Sequence, residues 1–362
     1  MRGGFQSTLR PPIHANRNEI VKAAFHTDAY RLEVCDTPTP TVTDPDHVLL
    51  RVAAVGICGS DKHDVETPPR VRQIPGHEFS GVIAELGTEP GGFRVGDRVL
   101  ARPQAFCGEC DSCRRRPRDR CEAGGVYGCR GSQHPPGAMA EYILVRTDNL
   151  TRIPDHVSLE EAAMVDPLAV AIHAINLGPE VRGQACVVMG AGVIGLLLAQ
   201  VLALKGASTV ALVDVVESHL QKAAELGDFV TLMGDDRDAL VPRLESLCSG
   251  VYYELAGGDS PTLDIAIQCI ERCGSILLVS QRPKGCWLNY QRVMGRQLTL
   301  QGVAGTSEVA WQEAVELISN SDVAVSPLIS HQYPLEKADE ALDTAINGDS
   351  LKVMIKPNGD LN

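Results

Sequence analysis

Ala185-Cys186-Val187-Val188-Met189-Gly190-Ala191-Gly192-Val193-Ile194-Gly195 is a five-residue apolar run that breaks into glycine-spaced backbone and opens a strongly apolar stretch. The run reads as a buried strand and residues 192–206 as the helix after it, with Gly190-x-Gly192-x-x-Gly195 turning the chain between them. Each glycine has its own reason. Gly190 permits the tight turn, Gly192 lets backbone approach a pyrophosphate, and Gly195 allows close packing of helix on strand. The helix start at Val193 and Ile194 offers N–H groups and the positive end of a dipole to phosphate. Strand, turn and helix in this order form a dinucleotide-binding unit and make the chain α/β.

Downstream the alternation continues. Residues 209–213, 251–255 and 275–279 read as strands, and residues 217–226 and 263–273 as helices. Repeated βα units predict a doubly wound parallel sheet. Asp214 ends the second strand, nineteen residues after Gly195. A carboxylate there accepts hydrogen bonds from the adenosine ribose hydroxyls and repels a 2′-phosphate. No Arg or Lys follows in Val215-Val216-Glu217-Ser218, so the pattern favours NAD over NADP.

Upstream, residues 20–150 carry short alternating runs with Gly and Pro between them, the pattern of a compact β-rich domain. Residues 159–176 have helical period, with Pro167 expected to kink or divide them. Residues 308–318 and 335–347 read as helices and 351–355 as a last strand returning to the first domain. The expected division is a flexible extension at 1–19, a β-rich domain at 20–166 with a lobe at 105–125, a nucleotide domain at 167–307, and the return at 308–362.

Cys107-x2-Cys110-x2-Cys113-x7-Cys121 puts four cysteines inside fifteen residues. One loop can then supply four thiolates to tetrahedral zinc, and a closed thiolate shell has no position for substrate, so its role is structural. Arg114, Arg115, Arg116, Arg118 and Arg120 would offset its negative charge; the run otherwise reads as a solvated face or a phosphate patch. A second set is more dispersed: Cys58 in Gly56-Ile57-Cys58-Gly59-Ser60-Asp61-Lys62-His63, His77-Glu78 after Pro75-Gly76, and Asp166 before Pro167. Singly these read as a buried cysteine, a surface histidine and a helix-capping aspartate. Together a thiolate, an imidazole and carboxylates suit zinc with one position open for water or an alcohol.

The chain has 362 residues, 44% hydrophobic and 22% charged, with a formal charge of −13. An acidic chain argues against a nucleic-acid partner, which needs a basic face. The remaining cysteines of the twelve show no disulfide framework, which suggests a reducing compartment. Residues 1–19 contain no apolar core of a signal peptide, and the longest apolar stretch, 193–204, is too short to span a bilayer. These features suit a soluble cytoplasmic enzyme without a membrane partner.

Gly56-Ile57-Cys58-Gly59-Ser60-Asp61-x-His63, Gly76-His77-Glu78, the four-cysteine loop and Gly190 to Gly195 together resemble the zinc-dependent medium-chain dehydrogenases, over residues 20–357. Val165-Asp166-Pro167-Leu168-Ala169-Val170 and Lys352-Val353-Met354-Ile355-Lys356-Pro357 are similar to the sorbitol, threonine and butanediol dehydrogenase branch, whose acidic residue at the position of Asp166 is usually Glu and sometimes Asp. The resemblance implies a GroES-like catalytic domain and a Rossmann domain with the active site between them. It implies two zinc ions. Cys58, His77 and Glu78 would bind the catalytic one, with Asp166 replacing or exchanging with Glu78 or a water. Ser60 and His63 match the proton-relay positions. It also implies a homodimer or homotetramer, with Rossmann edges paired near residues 300–303.

The expected reaction is reversible oxidation of a secondary alcohol to a ketone with NAD, on a polyol, sugar, cyclitol or aminocyclitol. A threonine-type hydroxy-amino-acid dehydrogenase is the neighbouring reading. A zinc-independent alkene reductase on the same fold would lack the Cys58 and His77 pair. A zinc-knuckle binder of nucleic acid would need a basic surface and stacking aromatics, which are 4% here. Two stretches depart from the family. The short segment between His63 and His77 carries Arg70 and Arg72, which suggests an unusual or anionic substrate. Gln133-His134-Pro135-Pro136-Gly137 replaces a simple glycine turn.

Overall fold

The structure is a computed structural model that describes residues 20–28, 31–64, 73–107, 109–115, 121, 124–129, 135–282 and 285–361. The extension at 1–19, Arg70, Arg72, Arg116, Arg118, Arg120, Gln133 and His134 lie outside the described residues, as do the side chains of His63 and Arg115.

β1 (Ile20–Asp28) and β2 (Arg31–Pro38) pair antiparallel. β3 (His47–Gly56) leads into a short helix, α1 (Gly59–Asp64), and β4 (Glu78–Leu86) returns antiparallel beside β3. After β5 (Arg98–Ala101), β6 (Gln104–Ala105), α2 (Asp111–Arg115) and β7 (Gly125–Val126) build a lobe around the four cysteines. β8 (Tyr142–Arg146) and β9 (Leu150–Arg152) then join β3 and β5. Val48, Leu50, Val52, Ile83, Val99, Ile143 and Val145 fill one apolar cluster inside this sheet.

α3 (Leu159–Ala163) starts with a reciprocal cap, Ser158 and Glu161 each accepting the other's backbone N–H. α4 (Val165–Leu177) follows directly. The break falls at Met164, not at Pro167. Pro167 is the third residue of α4, where backbone N–H groups have no intrahelical acceptor to lose, so it is tolerated.

The nucleotide half alternates as predicted. Its elements are β10 (Ala185–Met189), α5 (Val193–Leu204), β11 (Thr209–Asp214), α6 (Glu217–Leu226), β12 (Val230–Met233), α7 (Arg237–Ser246), β13 (Val251–Glu254), α8 (Thr262–Cys269), β14 (Ser275–Leu278), α9 (Tyr290–Gly295) and β15 (Thr299–Gly302). Among the described residues the strands form a parallel sheet in the order β12-β11-β10-β13-β14-β15. Alternate residues serve opposite faces. Cys186, Val188, Val210, Leu212, Tyr253 and Leu277 pack in one cluster, and Val187, Met189, Ala211, Val213, Tyr252 and Ile276 in another. Burial on both faces explains why these strands read as unbroken apolar runs.

α10 (Glu308–Ser319) does not join the C-terminal return. Its buried Ala310, Trp311, Ala314 and Ile318 pack against α4. The return begins with β16 (Ile329–Pro334), continues through α11 (Ala338–Asn347) and ends in β17 (Lys352–Lys356). β17 pairs with β16 on one side and antiparallel with β3 on the other. The chain thus leaves the first sheet, builds the second, and comes back. No helix among the described residues is long and apolar enough to cross a membrane.

Candidate active site

The glycine turn sits where β10 passes into α5. Gly190 has φ +116°, and a Cβ there would lie 3.0 Å from the backbone nitrogen of Ala256. A Cβ on Gly195 would collide with the Gly190 carbonyl oxygen. A Cβ on Gly192 would meet nothing within 4 Å, so this edge of the turn faces open space at the carboxyl ends of the parallel strands. Val193 opens α5 behind it. Asp214 holds the turn from the next strand, its Oδ2 accepting from Ala191 N at 2.6 Å and its Oδ1 from Val216 N at 2.9 Å. Burial opposes ionisation of Asp214, but His219 and these two N–H groups outweigh it and hold the carboxyl below its ordinary range. An open cradle of N–H groups beside a fixed carboxylate fits the pyrophosphate and ribose of a dinucleotide.

In the lobe, Cys107 Sγ lies 3.8 Å from Cys113 Sγ and 3.6 Å from Cys121 Sγ, and Cys110 Sγ lies 3.8 Å from Cys121 Sγ. Tetrahedral zinc with Zn–S bonds of about 2.3 Å requires sulfurs about 3.8 Å apart. Backbone N–H groups of Cys110 and Gly124 point at the Cys107 and Cys121 sulfurs, at 3.4 and 3.1 Å, which favours thiolates. Such donation, led by Cys110 and Glu109, lowers the Cys107 thiol to about 6. The four residues fit zinc by spacing and by donor type.

The second cluster comes from the register of β3 on β4. Gly56 pairs with Glu78, so Cys58, just beyond β3, meets His77, just before β4. A sulfur of Cys58, a ring nitrogen of His77 and a carboxylate oxygen of Glu78 all lie within 4.8 Å of one another. His77 and Glu78 are buried at 7% and 2% exposure. Ser60, on α1, places its hydroxyl 3.5 Å from His77 Nε2. His63 lies on the same helix.

Asp166 enters from the first turn of α4 and is also buried. It stands outside the tight threesome of ligand atoms, yet within electrostatic reach of it. Burial pushes its carboxyl up to about 7, with His77 opposing the rise, Glu78 adding to it, and Lys352 and Arg102 opposing it. Asp166 Oδ1 and His77 Nδ1 are buried without a hydrogen-bond partner among the described residues. Buried polar atoms without partners are costly, and a divalent cation among a thiol, an imidazole and two carboxylates would satisfy them. The donor set fits zinc.

Two residues at this cluster escaped the sequence reading. Asp61 is 2% exposed, accepts from Cys58 N at 2.9 Å, and brings its other oxygen to 3.7 Å from His77 Nδ1. Lys352, in β17, is 4% exposed and reaches Glu78 Oε2 at 2.5 Å and the Ile57 carbonyl at 3.2 Å. The available signal for Lys352 is a charge placed directly before the apolar run Val353-Met354-Ile355 of the terminal strand. Burial alone would make His77 and Lys352 less basic. The acids around them, led by Asp61 for His77 and by Glu78 for Lys352, raise both instead.

Comparison with known proteins agrees with this architecture. Residues 44–155 match the alcohol dehydrogenase GroES-like domain, and residues 193–320 match the zinc-binding dehydrogenase family. The chain is 32% identical to a sorbitol dehydrogenase from Bombyx mori, over 88% of this chain and 93% of that enzyme. It is 30% identical to a D-arabitol-phosphate dehydrogenase from Enterococcus avium, over 89% and 93% of the two chains. A putative zinc-binding dehydrogenase from Sinorhizobium meliloti, solved bound to NADP, superposes with a TM-score of 0.84 at 26% identity, over 94% of this chain and all of that one. With its GroES-like and Rossmann sheets, its two clusters of zinc-type donors and these relatives, the chain belongs to the zinc-dependent medium-chain alcohol dehydrogenases, in their sorbitol dehydrogenase-like branch.

Proposed function

We propose that the protein oxidises a secondary alcohol of a polyol, sugar or cyclitol to the ketone, reversibly, with NAD as the hydride acceptor. The observation that carries the reading is the convergence of Cys58, His77 and Glu78, with Asp166 beside them on a helix that also packs on α5 behind the glycine turn. α4 thereby ties the metal-type cluster to the dinucleotide cradle.

In this reading Cys58, His77 and a carboxylate of Glu78 or Asp166 hold the catalytic zinc, and Cys107, Cys110, Cys113 and Cys121 hold a second, structural one. When bound, zinc supplies a Lewis acid that acidifies the substrate hydroxyl, and the nicotinamide supplies the hydride acceptor. The chain does the rest. The Ser60 hydroxyl beside His77 accepts the substrate proton and passes it toward His63. Lys352 fixes the rotamer of Glu78, and Asp61 fixes the Cys58 loop. Asp214 takes the ribose diol and disfavours a 2′-phosphate, which is the ground for NAD over NADP.

The same reading places the catalytic domain at 20–166 and the Rossmann domain from 167, with α10 packed on α4 extending it past 307, and the return from β16 onward. It pairs two copies through β15. That strand ends the parallel sheet with an unpaired edge among the described residues, and Trp287, Tyr290 and Met294 are exposed in the segment before it. Light scattering that gives a monomer would contradict this pairing.

Steady-state rates against polyols, polyol phosphates, cyclitols and hydroxy-amino acids test the substrate class. The expected result is the highest kcat/KM on a polyol-type alcohol. A preference for hydroxy-amino acids would contradict it and favour the threonine-type reading.

A further inference from the structure

Asp214 has neighbours that its assigned role does not use. His219, on the first turn of α6, puts Nδ1 3.6 Å from Asp214 Oδ2 and Nε2 3.7 Å from Asp349 Oδ1. These distances are too long for hydrogen bonds, and both ring nitrogens are buried without a hydrogen-bond partner among the described residues. Asp349 belongs to the short connection between α11 and β17, in the segment that has already returned to the other sheet. It accepts a hydrogen bond from Ser218 Oγ at 2.6 Å and keeps a side chain that is 60% exposed. Two carboxylates, one from each half of the protein, therefore flank one imidazole at the end of β11.

We propose that Asp349 is a second cofactor-specificity residue, acting with His219 and Asp214 to accept an unmodified adenosine ribose and reject a 2′-phosphorylated one. The inference rests on the assignment of Asp214 to that ribose. Chemistry favours it on both sides. A ribose hydroxyl both donates and accepts, so it satisfies a carboxylate and an imidazole nitrogen together. A 2′-phosphate brings between about one and a half and two negative charges and can offer a carboxylate little but repulsion. Asp349 comes from the half of the protein that carries the metal-type cluster. The discrimination it adds therefore depends on how the two halves meet over the cofactor, which Asp214 alone does not require.

The test uses ADP-ribose and 2′-phospho-ADP-ribose, which lack nicotinamide and do not turn over, titrated calorimetrically into the full chain. The parent protein is expected to prefer ADP-ribose. Asp349→Asn is expected to shift the affinity ratio toward the 2′-phosphorylated ligand by roughly tenfold, an effect that 1 M salt diminishes. Asp214→Ser, run in parallel, separates the two claims. If Asp214→Ser shifts the ratio and neither Asp349→Asn nor Asp349→Ser does, the proposal for Asp349 is wrong and the NAD reading stands. If the parent prefers the 2′-phosphorylated ligand, both are wrong.

Discussion

Lys352 Nζ and Glu78 Oε2 meet at 2.5 Å in the interior, 274 residues apart in sequence. The contact ties β17 to the strand that carries the metal-type cluster. Gly56, opposite Glu78 in the register, leaves room for that carboxylate, since a Cβ there would collide with it. The antiparallel pairing of β17 with β3 next to Gly56 is what brings the lysine into reach.

Removing one member of such a pair leaves the other charge buried alone. Lys352→Met is expected to cost roughly 3–5 kcal/mol of stability. Lys352→Arg, which keeps the charge, should cost less. Urea denaturation of the two variants stripped of zinc checks this, and a loss below about 1 kcal/mol for Lys352→Met would mean that Glu78 has another partner among the protein's own side chains.

Cys58→Ser should remove one zinc per chain and lower kcat by more than about a hundredfold, because even groups that only orient metal ligands commonly contribute 10–100-fold. Cooperative unfolding should persist, since Cys58 follows the end of β3 and is not among the apolar core residues. Metal analysis beside kinetics checks both parts. Full activity would reject the assignment of Cys58.

Gly195→Ala should weaken NADH binding and lower stability by about 1–3 kcal/mol, because the added Cβ drives α5 away from the Gly190 carbonyl. Gly192→Ala at the same turn meets no protein atom, so its effect should fall on cofactor binding with little change in melting temperature. Fluorescence titration with NADH and thermal melts distinguish the two variants.

Glu254, 1% exposed at the end of β13, accepts from Thr262 Oγ1, Ser280 Oγ and Arg282 Nη2, and Arg282 Nη1 in turn holds the carbonyls of Gly258 and Ser260. Burial opposes its ionisation, but the Ser280, Thr262 and Arg282 contacts outweigh it and hold the carboxyl below its ordinary range. A carboxyl so depressed stabilises the fold above its unfolded value of about 4.3, and that contribution is lost as pH falls through the lower folded value. Glu254→Gln should therefore cost roughly 1.5–3 kcal/mol at pH 7, with the gap to the parent closing below about pH 4. Urea unfolding at both pH values checks it; a gap independent of pH would contradict it.

The parts of the fold legible in the sequence are those whose signal is local. Ala185–Met189 and Glu217–Leu226 match the expected ranges because glycines and a clear apolar period bound them. β12 and α7 were not anticipated. Val230-Thr231-Leu232-Met233 is short, and Arg237–Ser246 mixes charges with an internal Pro242, so neither shows a period. Pro167 signalled a break in the correct segment, but helix starts tolerate proline, and the break fell three residues earlier. At the candidate site, residue types and spacing singled out Cys58, His77 and Glu78, while the register that joins them is a property of the sheet. Lys352 and Asp61 depend on contacts that spacing alone does not reveal.

Zinc-assisted hydride transfer at the Cys58, His77 and Glu78 cluster is tested by following nicotinamide absorbance with NAD⁺ and a polyol substrate on protein of known zinc content, before chelation, after chelation, and after zinc is restored. Turnover should disappear as the zinc of this cluster is withdrawn, return with zinc in the parent protein, and not return in Cys58→Ser. Turnover that survives complete removal of zinc would contradict it and point to a zinc-independent reductase on the same fold.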